Sequence, residues 1–174
     1  MENMNLNTTV INYRMYEDSE DYLGLVQVTL PSLQMITQTV KGAGLAGEIE
    51  TVIIGQMKAM QIQFQLMVLT RQGINLTEQR IHTWEFREAQ QTVEGSTGVH
   101  DVEEVKHIFR AFPKQMDGGT LAPQGTSNPN VAAAVYYWAE YRNGEKVLEL
   151  DPFNYICFIN GTDYLEKVRK ALGM

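Results

Sequence analysis

The chain has 174 residues, a formal charge of −7 at pH 7, 44% hydrophobic residues and 20% charged residues. This length predicts one domain over residues 1–174 with a sizeable core. The acidic balance argues against sequence-independent nucleic-acid binding, which needs many cationic contacts to phosphate. Cys157 is the only cysteine, which excludes a disulfide framework, and we interpret it as a small buried hydrophobe. We expect a protein made in a cytoplasm, because the sequence has neither a signal peptide nor a membrane-spanning segment.

Strand periodicity dominates the chain after a polar arm at residues 1–9, which we expect to be mobile before assembly. The pattern predicts a single helical turn at 76–80, a loop at 95–98 and a longer Pro/Gly/Asn-rich loop at 117–130. Eight strands are predicted, at 11–17, 22–30, 34–41, 60–68, 81–93, 102–112, 131–142 and 145–159.

Two of these strands have informative faces. Gln61, Gln63 and Gln65 alternate with apolar residues, so one face of the strand carries amides and the other faces the core. Residues 131–142 are largely apolar on both faces. This predicts a strand that is buried on two sides, inside the subunit and at an interface.

A glycine-rich loop at 42–56 contains Gly42, Gly44 and Gly47 in the G-x-G-x-x-G spacing of dinucleotide-binding sites. That site needs a helix opening at the glycines and an acidic residue about twenty positions later. The residues after Gly47 are β-branched and end at Gly55, and the downstream position falls among glutamines. We therefore interpret the segment as a flexible loop with apolar side chains at its tip. It is either an assembly loop or an ordinary connection.

No catalytic or metal-binding pattern stands out. His82, His100 and His107 are scattered without metal-ligand spacing, and no serine lies in a nucleophile elbow. We interpret the groups of acidic residues as solvated turns. The sequence predicts no active site, no metal site and no cofactor, and hence a protein that is not an enzyme.

The C-terminal segment is the most regular. The pairs at 143–144 and 160–161 are both Asn-Gly, which predicts type I′ turns around the last strands. A helix is predicted at 163–172, with Asp163 and Glu166 as a capping box and Gly173 at its end. Many short strands with one helix favour an antiparallel sandwich or barrel-like fold. Its free strand edges invite pairing with other copies, and head-to-tail association gives a closed ring if the rotation between copies closes.

Four segments carry a resemblance to a known family: NYRMYED (12–18), YLGLVQVTLPSL (22–33), VKGAGLAGE (40–48) and FNYICFINGTDYL (153–165). In order and spacing they resemble the major tail tube protein of contractile-tailed phages and related phage-tail-like bacteriocins. The resemblance implies a mainly β tail-tube fold that forms one continuous barrel in a hexameric ring. Stacked rings would form a hollow conduit, made in the bacterial cytoplasm and driven through a cell envelope when a sheath contracts.

The resemblance also implies partners: further copies, the tail sheath protein, baseplate tube-initiating proteins, the tail terminator and a tape-measure protein in the lumen. DNA would pass only as cargo. Alternatives are the tube of a bacterial contractile secretion system and a monomeric ligand-binding β-barrel, which predicts an apolar cavity.

Three groups of residues are candidates for contacts in such an assembly. The amide row is the candidate lumen face, although an outer solvent-exposed face explains it equally well. The charged side of the C-terminal helix is the candidate sheath contact, with a merely solvated face as the alternative. The residues are Lys41, Gly42, Gly44, Leu45, Gly47, Glu48 and Ile49 for the inter-subunit or inter-ring loop; Gln61, Gln63 and Gln65 for the lumen; Glu166, Lys167, Arg169 and Lys170 for the sheath.

Overall fold

The structure is a computed structural model that describes residues 5–17, 20–22 and 24–174. The described residues form twelve strands and two helices. In chain order these are β1 (Asn5–Glu17), β2 (Glu20–Tyr22), β3 (Leu25–Thr29), β4 (Met35–Val40), β5 (Ile49–Met57), β6 (Met60–Leu66), α1 (Arg71–Asn75), β7 (His82–Glu94), β8 (His100–Asp117), β9 (Asn130–Arg142), β10 (Glu145–Asp151), β11 (Ile156–Ile159), β12 (Thr162–Asp163) and α2 (Glu166–Leu172).

The main sheet is antiparallel and folds over on itself. Its strand order is β12-β11-β10-β9-β8-β7-β1-β2, and β6 joins it beside β9 with β3 on its other side. The first half of β9 pairs with β6 and its second half pairs with β10, so one strand edge carries two separate arms. Two bulges between β8 and β9 accompany this split, one at Tyr136 in β9 and one at Lys114 in β8. Such bulges are where strands cross from one packed layer to another.

The two arms pack face to face as a narrow and a wide layer. The narrow layer contains β3, β6, residues 130–135 of β9 and residues 111–117 of β8. The wide layer contains β1, β7, residues 100–110 of β8, residues 137–142 of β9, β10 and β11. Phe64 on β6 lies edge-on against Trp84 on β7 at 4.9 Å between ring centroids, although these strands do not pair. The predicted sandwich-like antiparallel fold is therefore confirmed.

Alternation along the strands builds the core between these layers. On β6 the apolar residues are buried and the glutamines between them are half-buried, as the sequence predicts. Burying each large apolar side chain contributes about 1.5–3 kcal/mol. Cys157 is buried here as expected, and burial raises the pKa of its thiol. The largest fully buried side chains include Trp84, Phe64, Phe109, Met15, Ile62, Leu76, Leu150 and Leu165.

The hairpin β4–β5 forms a separate two-stranded sheet. Residues 49–56 of the predicted 42–56 loop lie in β5, so the loop itself ends at residue 48. Gly55 has φ +67°, and a Cβ on it would lie 2.4 Å from the buried side chain of Leu165. Glycine at this position therefore lets the base of the hairpin pack on the core.

Three further sequence predictions are wrong. Residues 5–9 of the predicted mobile arm belong to β1 and pair with β7, while residues 1–4 lie outside the described residues. The helical turn lies at Arg71–Asn75 and not at 76–80, because Thr70 Oγ1 caps it by accepting from Gly73 N at 3.1 Å. The predicted strand at 145–159 is divided by a turn at 152–155, in which Asp151 accepts two backbone N–H groups at 3.1 Å.

The last helix begins later than predicted. Asp163 lies in β12, and the cap position of α2 is Leu165, which makes no side-chain cap hydrogen bond. The predicted capping box is therefore wrong. Gly173 ends the helix in the left-handed region at φ 74°, as predicted. Both Asn-Gly pairs have positive φ at each residue, which fits the predicted type I′ turns.

Candidate assembly surfaces

The narrow layer has two strand edges that no other strand of the described residues covers. β3 pairs only with β6, so its outer edge is open. β8 pairs with β7 only as far as Ala111, which leaves the edge of residues 112–117 open as well. Open edges present backbone donors and acceptors to any strand that comes alongside. The narrow layer is therefore a four-stranded unit open at both sides.

The outward face of the narrow layer is a polar surface rich in side-chain amides. Gln61, Gln63 and Gln65 lie in one row on β6, as predicted. Their cross-strand neighbours were missed by sequence reasoning, although the alternation within β3 was a usable signal. Asp117 at the end of β8 is the one acidic residue among the face's neighbouring strand positions. The neighbours are Gln27, Thr29, Gln115, Asn130, Ala132 and Ala134.

The hairpin β4–β5 exposes apolar side chains on both of its faces. Its loop is tied by a hydrogen bond from Leu45 N to Gly42 O at 3.2 Å, and Lys41 pairs with Glu48 at 3.4 Å in full solvent. A two-stranded hairpin is marginally stable alone in water. Sequence reasoning identified the tip and missed the strand that follows it. The exposed residues are Ile36, Val40, Leu45, Ile49, Val52, Ile53 and Ile54.

The outward face of the wide layer is charged but internally paired. Burial and a 3.0 Å hydrogen bond to Glu149 raise the pKa of Tyr137 to about 12. Lys146 also pairs with Glu149, at 2.5 Å. Four cations lie over aromatic rings: Arg87 over Tyr16, Lys106 over Tyr141, Arg110 over Tyr137 and Lys146 over Phe158, at 4.2–5.2 Å.

The four predicted sheath residues on α2 do not form one surface. Arg169 turns inward and donates to Asp163 at 2.6 Å and to the Tyr155 carbonyl at 2.5 Å. Burial raises the pKa of Asp163, but the hydrogen bonds from Arg169 and the backbone outweigh burial and hold it below its usual value. Glu166 and Lys170 pair with each other at 2.5 Å in solvent. Lys167 is exposed.

A cleft of about 420 Å³ opens between the two layers beside the edge of β3; we call it the interlayer cleft. Val26 on β3 and Val10 on β1 form its exposed apolar rim. His107 lies at its floor, 4% exposed, between Glu88 at 3.6 Å and Glu140 at 3.7 Å. Burial lowers the pKa of His107 despite these carboxylates. The cleft is lined by Val10, Tyr13, Val26, Gln27, Val28, Leu30, Phe86, Glu88, Gln90, His107, Glu140 and Arg142.

Two buried polar atoms at this cleft lack a hydrogen bond within the described residues, although the first of them, Nδ1 of His107, lies 3.7 Å from the Glu140 carboxylate. The Nδ1 atom of His107 and the hydroxyl of Tyr13 are buried and make no hydrogen bond to any described residue. Both ring nitrogens of His82, in contrast, lie within hydrogen-bonding distance of a described residue, Nδ1 at 2.6 Å from Glu17 and Nε2 at 3.1 Å from the Glu78 carbonyl, as expected of a structural histidine. Among the described residues, no group of three or more His, Cys, Asp or Glu side chains is arranged to hold a metal ion.

The two open edges and the exposed apolar hairpin are surfaces that can contact further protein chains. The family described as phage tail tube protein FII matches residues 7–173. The chain belongs to the phage tail tube family. The proteins of this family are structural, so the tail tube chain is a structural protein of a phage-type tail tube.

One solved structure with the same fold is the sheath/tube terminator of PVC, an extracellular contractile injection system, determined by cryo-EM in its extended state. The alignment has a TM-score of 0.55 and 10% identity, and it covers 78% of the tail tube chain and 97% of the terminator chain. At this identity the likeness concerns the fold alone. No curated protein matches the chain. In the described part of the tail tube chain, no helix is both long and apolar enough to cross a membrane.

Proposed function

We propose that the chain is the subunit of the inner tube of a contractile phage tail or tail-like bacteriocin. Copies join edge to edge into hexameric rings, and the rings stack into a hollow conduit. The observation that carries this proposal is the pair of open edges on the narrow layer, at β3 and at residues 112–117 of β8.

The directions of the strands suit that joining. Within the layer β3 pairs with β6, β6 with β9 and β9 with β8, and each pair is antiparallel. Four alternating strands make the two edge strands run in opposite directions. When one copy is rotated beside the next, β8 of the first meets β3 of the second antiparallel. Repetition of this contact around a ring gives a closed antiparallel barrel without a free edge.

The amide face of each copy forms the inner wall of this barrel. In this arrangement Gln61, Gln63 and Gln65 of every copy line the lumen, together with the neighbouring amides of β3 and β8. A polar surface without cations holds water and offers phosphate no fixed positive partner. A tape-measure protein and, in a true phage, DNA can therefore occupy and leave the bore.

The remaining surfaces meet the other tail proteins. The apolar hairpin β4–β5 contacts the adjacent subunit or ring, where its exposed side chains become buried. The wide layer and the exposed side of α2 face the sheath, whose contraction drives the tube into an envelope. Baseplate proteins begin the tube and a tail terminator ends it.

The first test is negative-stain electron microscopy of the concentrated chain, alone and with baseplate tube-initiating proteins. We expect rings or tubes of uniform bore, and a reconstruction that places Gln63 on the inner wall. Tubes with the amide row outside would contradict the lumen assignment. A chain that stays monomeric under both conditions would contradict the proposed function.

A further inference from the structure

The interlayer cleft contains an acidic side chain, Glu88, that forms no ion pair with a lysine or arginine in the part of the chain that the structure describes. Its carboxylate is 13% exposed and, among those residues, contacts Gln90 Nε2 at 2.6 Å and His107 Nε2 at 3.6 Å. Among the described residues that line the cleft, Arg142 is the one lysine or arginine, and it already pairs with Glu140 at 2.8 Å and Glu103 at 3.0 Å. A largely buried carboxylate that has no cation beside it can still take one, and the cleft leaves space for such a partner.

The shape of the cleft indicates which kind of partner is missing. Its rim is aliphatic, with Val10, Val26 and Leu30 at 40–50% exposure, and its floor carries the polar groups. A lysine side chain fits this order, because its four-carbon stem packs on apolar surface while its ammonium group meets a carboxylate. The hydroxyl of Tyr13, which makes no hydrogen bond within the described residues and lies on the residue paired with Glu88, can accept a further hydrogen bond from the same ammonium group.

A lysine lies on the strand that would come next to this cleft. The edge of β8 carries Lys114, which is exposed, lies in the bulge between Pro113 and Gln115, and has no ion pair within the described residues. If this edge joins β3 of a second copy, the two strands lie about 4.8 Å apart. The cleft opens directly beside β3 through Val26 and Val28.

We propose that the interlayer cleft is a socket for Lys114 of the neighbouring copy, which pairs with Glu88. This inference rests on the proposed function, because it needs the edge-to-edge contact between β8 and β3. It adds an ionic lock to backbone pairing, and such a lock fixes the register of two strands whose hydrogen bonds alone would allow slippage.

Charge reversal tests the lock. We expect Lys114→Glu and Glu88→Lys each to lower the amount of sedimentable tube at least about tenfold, and the double variant to recover to within about threefold of the original chain. The matched control is Arg71→Glu, which makes the same charge change at an exposed residue of α1 and should assemble normally.

If Lys114→Glu assembles as well as Arg71→Glu, the socket is wrong while the tube assignment stands. If the unmodified chain forms neither rings nor tubes with its baseplate, the proposed function fails instead.

A second measurement covers the case in which Glu88→Lys does not fold. Gln27→Cys combined with Gln115→Cys, in a chain carrying Cys157→Ser, places two thiols on the facing strand edges and keeps Lys114 in place. The proposal predicts a ladder of disulfide-linked oligomers when tubes are oxidised, because the Cα atoms fall within about 4.4–6.8 Å. Monomers alone after oxidation of intact tubes would overturn it. An extra mass of a small molecule on each subunit in native mass spectrometry, with Lys114→Glu tubes intact, would assign the cleft to a ligand and also overturn it.

Discussion

The hairpin β4–β5 and the outward face of the wide layer differ in whether their exposed side chains have partners within the subunit. On the wide layer, Lys106 lies over Tyr141 at 5.0 Å and Lys146 pairs with Glu149, so the surface is completed by its own residues. On the hairpin, Ile54 is 65% exposed and Val52 is 54% exposed, and no described residue covers them. The wide layer is therefore compatible with exposure to water, whereas the apolar side chains of the hairpin become buried only when another molecule covers them.

This difference separates stability from assembly. Changes on a self-completed surface alter the free energy of unfolding of one subunit, since the interactions exist before any contact forms. Changes on the hairpin tip leave the subunit intact, since the tip contributes little to its core. The base of the hairpin is the exception, because Gly55 packs on Leu165. Substitutions at the hairpin tip, at its base and on the wide layer therefore test this difference separately.

The largest effect is expected at the hairpin tip. Leu45→Asp places a carboxylate where we propose an apolar contact between copies, and an unpaired buried charge is strongly unfavourable. Tube formation should be lost in negative-stain images. The midpoint of urea unfolding of the subunit should stay within the equivalent of about 0.5 kcal/mol of the original chain, as for other exposed substitutions. Leu45→Met is the control that keeps the apolar surface. Normal tubes from Leu45→Asp would remove this loop from the interface.

At the base of the same hairpin the effect should appear in stability. Gly55→Ala adds a Cβ at φ +67° and 2.4 Å from the Leu165 side chain, so it combines backbone strain with overpacking. We expect a loss of about 2–4 kcal/mol in the free energy of unfolding, measured by urea titration. Gly42→Ala is the control, since Gly42 has nothing within 4 Å of the added atom. Equal stability of both variants would show that the hairpin base does not pack on the core.

The sequence predicted the structure well where the signal is local. Alternation on β6 correctly separated the core residues from Gln61, Gln63 and Gln65, because period-two burial lies within one strand. It missed β5, because its β-branched residues are exposed on both faces and Gly55 interrupts the pattern. The pairing of His107 with Glu88 and Glu140 depends on the register of three strands, which are distant in sequence. The open edges of β3 and β8 likewise exist only once the strand order is known.

A smaller effect is expected at His107, where the pH dependence has a definite sign. Burial lowers the pKa of this imidazole from 6.5, so the unfolded chain binds the proton more readily than the folded one. The contribution of His107 is fully favourable above pH 6.5, and the subunit should lose stability as pH falls below that value. Urea titrations at pH 7.5 and 5.5 measure this loss, and His107→Gln should reduce it. An unchanged loss in that variant would assign the pH dependence to other groups.

The smallest effect is expected on the self-completed face. Lys106→Met keeps the aliphatic stem but removes the charge that lies 5.0 Å from the centroid of the Tyr141 ring. An exposed cation–π contact contributes about 0.5–1 kcal/mol, so the free energy of unfolding should fall by about that amount. Tubes should form normally, because this face lies away from both open edges of the narrow layer. The change in a Tyr141→Leu background isolates the contact, since Lys106→Met should then have almost no effect on stability. If Lys106→Met stops tube assembly but leaves the stability of the subunit unchanged, the wide layer is also a subunit interface. Internal pairing of charges would then not distinguish the wide layer from the hairpin β4–β5.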